Sequence, residues 1–265
     1  RVLACCTRWR EGQLLDEAGR KKLEQMCDAW SVRGIRVLGV AERRMALRPS
    51  YGGGDESELE FLGFLTFADQ PKSGIVEVLS DLKSLGVSLK IITGDNRLVA
   101  KSVAESVGLN ASAMITGQEL DDLRDEALWQ RVSDIDVFAQ VDPNQKERII
   151  LALKKRKHIV CYMGDGVNDA PAMHAADVSI SVDTAVDVAK STASFVLTEK
   201  DLRVICGGIT EGRKTFANTM KYVLLTMSAN LGNMISMALT SLVLPYLPLT
   251  AVQILLNNLL SDLPS

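Results

Sequence analysis

Residues 222–261 contain no Asp, Glu, Lys, Arg or His, in a chain of 265 residues that is 24% charged overall. A membrane span needs roughly 20 apolar residues. The run holds one such helix over 222–244, then a Pro245-x-x-Pro248 turn, and most of a second helix over 249–265. A hairpin buried in a soluble core is the competing reading, and the length of the run weighs against it. Lys190, Lys200, Arg203, Arg213, Lys214 and Lys221 all precede the run. That bias is expected to leave the globular part in the cytoplasm and the hairpin in a lipid bilayer.

Polar residues within the run fall on helical faces. Thr226, Asn230, Asn233 and Met237 make one stripe, and Asn258, Ser261 and Asp262 make another on the second helix. Hydrogen bonds between helices account for asparagines at such positions. An ionisable group near a membrane interior is costly and marks an ion path, so Asp262 tips the reading towards a cation site. Amide and carboxylate oxygens are hard ligands, suited to Mg²⁺ or Ca²⁺ rather than copper. Ser228, Gly232 and Ser236 form a small-residue face for close helix packing, and the methionines at helical spacing are explained by packing.

A second feature lies in the polar part of the chain. The run His158-Ile-Val-Cys-Tyr-Met163 reads as a buried parallel strand, and Gly164-Asp165-Gly166-Val167-Asn168-Asp169-Ala170-Pro171 follows it. Glycines on either side of Asp165 let the backbone turn sharply, and Asn168 and Asp169 open a helix whose amino end favours anions. Gly-Asp-Gly alone is also common in surface turns. Here it has company. Strand 87–92 ends in Thr93-Gly94-Asp95, and Asp142-Pro143-Asn144-Gln145-Lys146 places a lysine one turn inside a proline-started helix. Lysine holds a phosphoryl oxygen as a point charge, and hard carboxylate oxygens such as that of Asp165 suit Mg²⁺. Ligands of open parallel sheets bind beyond the carboxyl ends of the strands, where all three clusters arrive.

These strings resemble the phosphorylation domain of P-type ATPases, a branch of the haloacid dehalogenase superfamily. The resemblance extends from Gly34-x-Arg36-Val37-Leu38 to Asn258-x-x-Ser261-Asp262. It implies a phosphoryl site in which Asp165, together with Asp169, binds Mg²⁺, Thr93, Lys146 and Asn168 hold the phosphoryl group, and Asp95 and Asp169 order the surroundings of phosphate and metal. Gly94 belongs to the same motif. Arg36 corresponds to an arginine that approaches ATP phosphates, although a solvated strand residue is an equal reading from the residues alone. Asp69, in Asp69-Gln70-Pro71-Lys72, falls in the hinge into the phosphorylation domain and is, with Arg36, an implied nucleotide-binding position. In the membrane hairpin, Asn230, Asn233, Asn258 and Asp262 are the implied positions for a transported cation. Met163, the segment Ile180-Ser-Val-Asp183 and Glu211-Gly-Arg-Lys-Thr-Phe-Ala-Asn218 look most like bacterial magnesium-importing members. That implies a multi-pass protein of the bacterial inner or cell membrane. Calcium and proton pumps share most of these motifs.

The expected organisation has three parts. Residues 1–67 are the tail of an α+β nucleotide-binding domain, with an amphipathic helix through Leu23, Met26, Cys27 and Trp30 and an exposed hairpin or linker at 51–57. Residues 68–203 are an α/β domain with a doubly wound parallel sheet. Its helices are expected at 74–85, 97–107, 119–132, 144–157 and 170–176, and its strands at 87–92, 137–140, 159–163, 178–181 and 194–197. Residues 204–265 form a stalk and the two membrane helices.

The family's nucleophile, an aspartate in Asp-Lys-Thr-Gly-Thr, has no counterpart in the sequence. Acyl-phosphate chemistry requires a carboxylate nucleophile, so the chain alone is expected to be inactive, with the first sheet strand missing. Asp134-Ile135-Asp136 mimics the nucleophile of soluble relatives but falls at the beginning of a strand. The chain therefore reads as a fragment whose partner is the remainder of the same ATPase, with ATP and Mg²⁺ as its ligands. Gln70 and Gln140 depart from the family's more usual proline and arginine. Five cysteines without a Cys-x-x-Cys pair give neither a zinc spacing nor a disulfide framework, and His158 and His174 read as structural. A net charge of −3 with no basic aromatic patch gives no support for a nucleic-acid partner. The rivals are a soluble phosphatase of the same superfamily and a catalytically dead regulatory fragment.

Overall fold

Alternating apolar strands and amphipathic helices build an α/β body in the computed structural model, which describes residues 2–9, 12–46, 48, 50–68, 74–199, 201–244 and 250–262. The chain divides into two units, Arg1–Lys200 and Asp201–Ser265.

The first unit opens with α1 (Val2–Cys5), β1 (Cys6–Trp9), β2 (Gln13–Leu14), α2 (Glu17–Val32), β3 (Ile35–Glu42) and β4 (Leu59–Ala68). Their four strands lie in the order β2-β1-β4-β3. Asp16 caps α2 by accepting from the Gly19 amide at 2.7 Å, as short polar residues at that position do. Leu23 is buried with Cys6, Leu15 and Phe61, and Trp30 stands edge-on to Phe64. The linker between β3 and β4 carries a 3₁₀ turn, Gly53–Asp55.

Next come α3 (Ile75–Ser84), β5 (Ile91–Ile92), α4 (Arg97–Ser106), β6 (Met114–Thr116), α5 (Gly117–Asp121) and α6 (Asp125–Arg131). They are followed by β7 (Val137–Ala139), α7 (Pro143–Lys155), β8 (Cys161–Met163), α8 (Ala170–Ala175), β9 (Val178–Val182), α9 (Asp187–Thr192) and β10 (Phe195–Leu197). All the strand pairs here are parallel, as expected. Among the described residues the strands form two three-stranded sheets, β5-β7-β6 and β10-β9-β8, rather than one continuous sheet. Among the described residues β5 and β8 each pair on one side only, so no ladder joins the halves. Both halves nevertheless cover one apolar core, in which Ile92, Phe138, Ile149, Tyr162 and Met173 take part.

Two local expectations need correction. The helix expected over 119–132 is two helices, α5 and α6, broken after Asp121. Arg148 from α7 donates to the carbonyls of Leu120 and Leu123 at 2.8 and 2.6 Å, satisfying the backbone acceptors that the break frees. The strand expected over 87–92 narrows to Ile91–Ile92; just before it, the Lys90 ammonium donates to the carbonyls of Ser133 and Ile135.

The second unit consists of α10 (Arg203–Val243) and α11 (Ala251–Asp262). Stalk and first apolar segment form one unbroken helix of 41 residues, roughly 60 Å at the usual rise. Among the described residues it is the one helix long and apolar enough to cross a membrane. The Pro245-x-x-Pro248 turn and the 69–72 hinge lie outside the described residues.

Candidate functional site

The carboxyl ends of β5, β7 and β8 and the amino end of α7 carry the polar clusters. At β7, Asp142 caps α7: its Oδ1 accepts from the Gln145 amide at 2.8 Å, and Gln145 Oε1 accepts from the Asp142 amide at 2.9 Å. Pro143 occupies the first turn, where a missing N–H costs nothing. This reciprocal box starts the helix sharply and leaves Lys146 one residue further on.

Lys146 Nζ meets Asp169 Oδ1 at 2.8 Å, and both side chains are largely buried. Asp169 Oδ1 also accepts from the Tyr162 hydroxyl at 2.8 Å, and Oδ2 accepts from the Gly166 amide at 3.2 Å. Burial alone would raise the Asp169 carboxyl. The hydrogen bonds from Lys146 and Tyr162 outweigh that and hold it below the ordinary carboxylate range. Burial, then the bond to Asp169, pushes the Tyr162 phenol up. The turn itself is tightly specified. A Cβ at Gly164 would lie 2.5 Å from Cβ of Asp169, so only glycine fits. Ser181 Oγ donates to the Gly164 carbonyl at 2.9 Å, and the Val186 amide to that of Asp165 at 3.1 Å.

At β5, Thr93 Oγ1 donates to Asp95 Oδ2 and accepts from the Asp95 amide, both at 3.1 Å. Arg36 of β3 forms an ion pair with the other Asp95 oxygen. The Thr93 amide bonds to the Phe138 carbonyl and the Val141 amide to that of Thr93, at 2.9 and 3.2 Å. The Gln140 amide bonds to the Asp95 carbonyl at 2.9 Å, and Gln140 takes a left-handed backbone, φ 56°, to do so. A chain of contacts thus runs from Arg36 through Asp95 and Thr93 to the β7 turn, and through α7 to Lys146 and Asp169.

Of the residues singled out from the sequence, Arg36, Thr93, Asp95, Lys146 and Asp169 are in direct contact with one another in these two groups. A Cβ at Gly94 would meet the Val141 carbonyl oxygen at 3.6 Å, an ordinary contact. Asp165 and Asn168 are exposed on the turn. Asp69 and the side chains of Asn258 and Asp262 lie outside the described residues. Asn230 and Asn233 lie on α10. Asp136 sits at the start of β7, away from the strand ends that gather the other groups, which removes it as a nucleophile substitute. His158 bonds to Ser133 Oγ at 2.9 Å. Sequence reasoning missed Tyr162, reading it only as part of a buried apolar run; in β8 it is the one buried residue, with Cys161 and Met163 exposed, and a buried phenol hydroxyl needs a partner.

The donor set fits Mg²⁺. The Asp165 carboxylate makes no hydrogen bond or ion pair among the described residues, and it stands on a backbone clamped from both sides. A hard, unshared carboxylate beside a lysine-bearing helix is the chemistry that a magnesium-bound phosphoryl group requires. Among the described residues no three His, Cys, Asp or Glu side chains converge, so most of a magnesium shell would come from phosphoryl oxygens and water.

The description of haloacid dehalogenase-like hydrolases matches residues 14–177. The chain belongs to that family. Within this hydrolase family it is similar to the P-type 1 magnesium-transporting ATPase of Escherichia coli K12, with 41% identity over 98% of this chain and 30% of that protein. A magnesium-transporting ATPase of Salmonella typhimurium LT2 is 38% identical over 99% of this chain and 30% of its own length. Calcium-transporting ATPase 1 of Lactococcus lactis is 31% identical over 92% of this chain and 28% of its own. The chain thus spans about 30% of the length of the curated relatives it matches.

Proposed function

We propose that the chain is a portion of an ATP-driven, cation-transporting P-type ATPase that imports magnesium. The observation that carries this is the buried Lys146–Asp169 pair at 2.8 Å, set against the exposed Asp165 on a glycine-locked turn. Similarity along nearly the whole chain to magnesium-transporting ATPases supports the same reading.

In this reading Asp165 holds the magnesium, and Thr93, Lys146 and Asn168 hold the phosphoryl group. Asp95 and Asp169 orient Thr93 and Lys146, while Arg36 and Asp69 serve the nucleotide. The bound metal would offset phosphoryl charge; positioning and electrostatics supply the rest of the catalysis. The nucleophilic aspartate comes from the remainder of the same protein, on a strand that inserts between β5 and β8 and joins the two half-sheets. Asn230, Asn233, Asn258 and Asp262 form the cation path in the bilayer, and phosphorylation drives a two-state change transmitted through α10.

The test uses the intact protein in membranes. Incubation with ATP should yield an acid-stable acyl-phosphate, and Asp165→Ala should abolish it; persistent labelling refutes the assigned metal site. ATP-dependent Mg²⁺ uptake into vesicles should be weakened by Asp262→Ala. Uptake of Ca²⁺ in place of Mg²⁺ would favour the second reading, a calcium pump, which the similarity to the Lactococcus lactis protein keeps in view.

A further inference from the structure

We propose that Tyr162 is a positioning residue of the phosphoryl site: by occupying one lone pair of Asp169 Oδ1 it sets the direction in which Lys146 presents its ammonium. The proposal rests on Lys146 being a phosphoryl-binding group.

Packing alone does not require a tyrosine here. Tyr162 is 8% exposed in β8 and sits in the shared core, where phenylalanine would fill the same space. What the hydroxyl adds is one hydrogen bond, at 2.8 Å, to the oxygen that Lys146 also contacts at 2.8 Å. A carboxylate oxygen has two strong acceptor sites, and the two donors take both. The Gly166 amide holds the other oxygen, and the side chain lies in the space that a Cβ at Gly164 would take. Asp169 is therefore fixed by donors from β8, from the turn and from α7.

The consequence falls on Lys146. With Oδ1 shared, the ammonium forms one bond to Asp169 and keeps its other N–H donors for a ligand. Without the phenol, Oδ1 is open on one side, and Lys146 swings towards the carboxylate and is more fully neutralised by it. Less positive charge then faces the phosphoryl group. Loss of one hydrogen bond to a charged group corresponds to a weakening on the order of 10-fold.

The variant is Tyr162→Phe in the intact protein, with Lys146→Ala beside it. Three quantities are read: affinity for orthovanadate as a phosphoryl analogue, affinity for a non-hydrolysable ATP analogue, and the melting temperature. Tyr162→Phe should weaken orthovanadate about 10-fold, lower kcat with KM for ATP unchanged, and leave nucleotide affinity and melting temperature near those of the parent. Unchanged orthovanadate affinity overturns the proposal. So does a parallel loss of orthovanadate binding, nucleotide binding and melting temperature, which would mean that the hydroxyl acts on the fold. Lys146→Ala separates the two levels: if it retains full orthovanadate affinity, the phosphoryl site itself is misassigned, whereas a loss there with parental behaviour of Tyr162→Phe refutes only the role of the tyrosine.

Discussion

Arg36 and Asp95, 59 residues apart in the sequence, form an ion pair between β3 of the first sheet and the carboxyl end of β5. Their side chains are 56% and 25% exposed, and pairs in that setting contribute at most about 1 kcal/mol to stability. An arginine that meets a carboxylate at the mouth of the proposed phosphate site can exchange it for a phosphate oxygen, which has the same fork geometry.

Arg36→Ala should accordingly weaken ATP binding about 10-fold, the loss of one charge-assisted contact, while the rate of acyl-phosphate formation at saturating ATP is retained. An ATP titration of the initial phosphorylation rate measures both. Parental ATP affinity would reduce the pair to a surface contact.

Much of this arrangement was legible in the sequence because it is local. Pro143 announces the start of α7, and Gly164-Asp165-Gly166 announces a turn after a strand; the reciprocal cap between Asp142 and Gln145 was not read from the sequence. What escaped was set by distant partners. The break between α5 and α6 follows no strong local signal; it is held open by Arg148 reaching from α7 to two freed carbonyls. The strand β6 is three residues long and gains its identity from pairing with β7. Division into two half-sheets is likewise a matter of which strand edges find partners. Tyr162 was hidden because a hydrophobicity pattern counts its ring and not its hydroxyl.

Gly164→Ala tests the turn sterically. The added methyl would lie 2.5 Å from Cβ and 2.9 Å from Cγ of Asp169, and neither atom belongs to a flexible tip. Relief requires Asp169 to shift, at a cost of about 1–3 kcal/mol and with loss of its bond geometry to Lys146. Gly166→Ala meets Asp169 Oδ2 at 3.5 Å, an ordinary contact, and should change stability by no more than about 0.5 kcal/mol. Thermal unfolding of both variants in detergent decides the matter; equal melting temperatures would contradict the close approach at Gly164.

Acid should unfold this region through Asp169. Its carboxyl is held below the ordinary range in the folded protein, so its contribution is present above the unfolded value, about 3.9. That contribution is lost as pH falls through the lower, folded value. Asp169→Asn, which leaves the buried ammonium of Lys146 without its counter-charge, should melt well below the parent at pH 7. The difference should hold down to about pH 4 and shrink only below that. A gap already closed at pH 6 would assign the acid sensitivity to other groups.

Gln145 is the last element to test, because it ties two crossovers together. It is 8% exposed, and its Nε2 donates to the Gly117 carbonyl at 3.0 Å and to Asp121 Oδ1 at 2.7 Å. Its Oε1 takes the Asp142 amide at 2.9 Å, so one side-chain amide fastens the start of α5 to the start of α7. Gly117 is the seat of this clamp: a Cβ there would lie 2.4 Å from the Gln140 carbonyl oxygen and 2.5 Å from Gln145 Oε1. Gln145→Leu keeps the volume and strips three partners of their hydrogen bonds, which should cost on the order of 3 kcal/mol. Gln145→Glu keeps the acceptor for Asp142 but sets a carboxylate against Asp121, and it should be the worse of the two at pH 7. Their difference should narrow on acidification towards pH 4, where carboxylates begin to protonate. Thermal melts of both variants at the two pH values measure this, and a glutamate variant as stable as the parent at pH 7 would contradict the contact with Asp121.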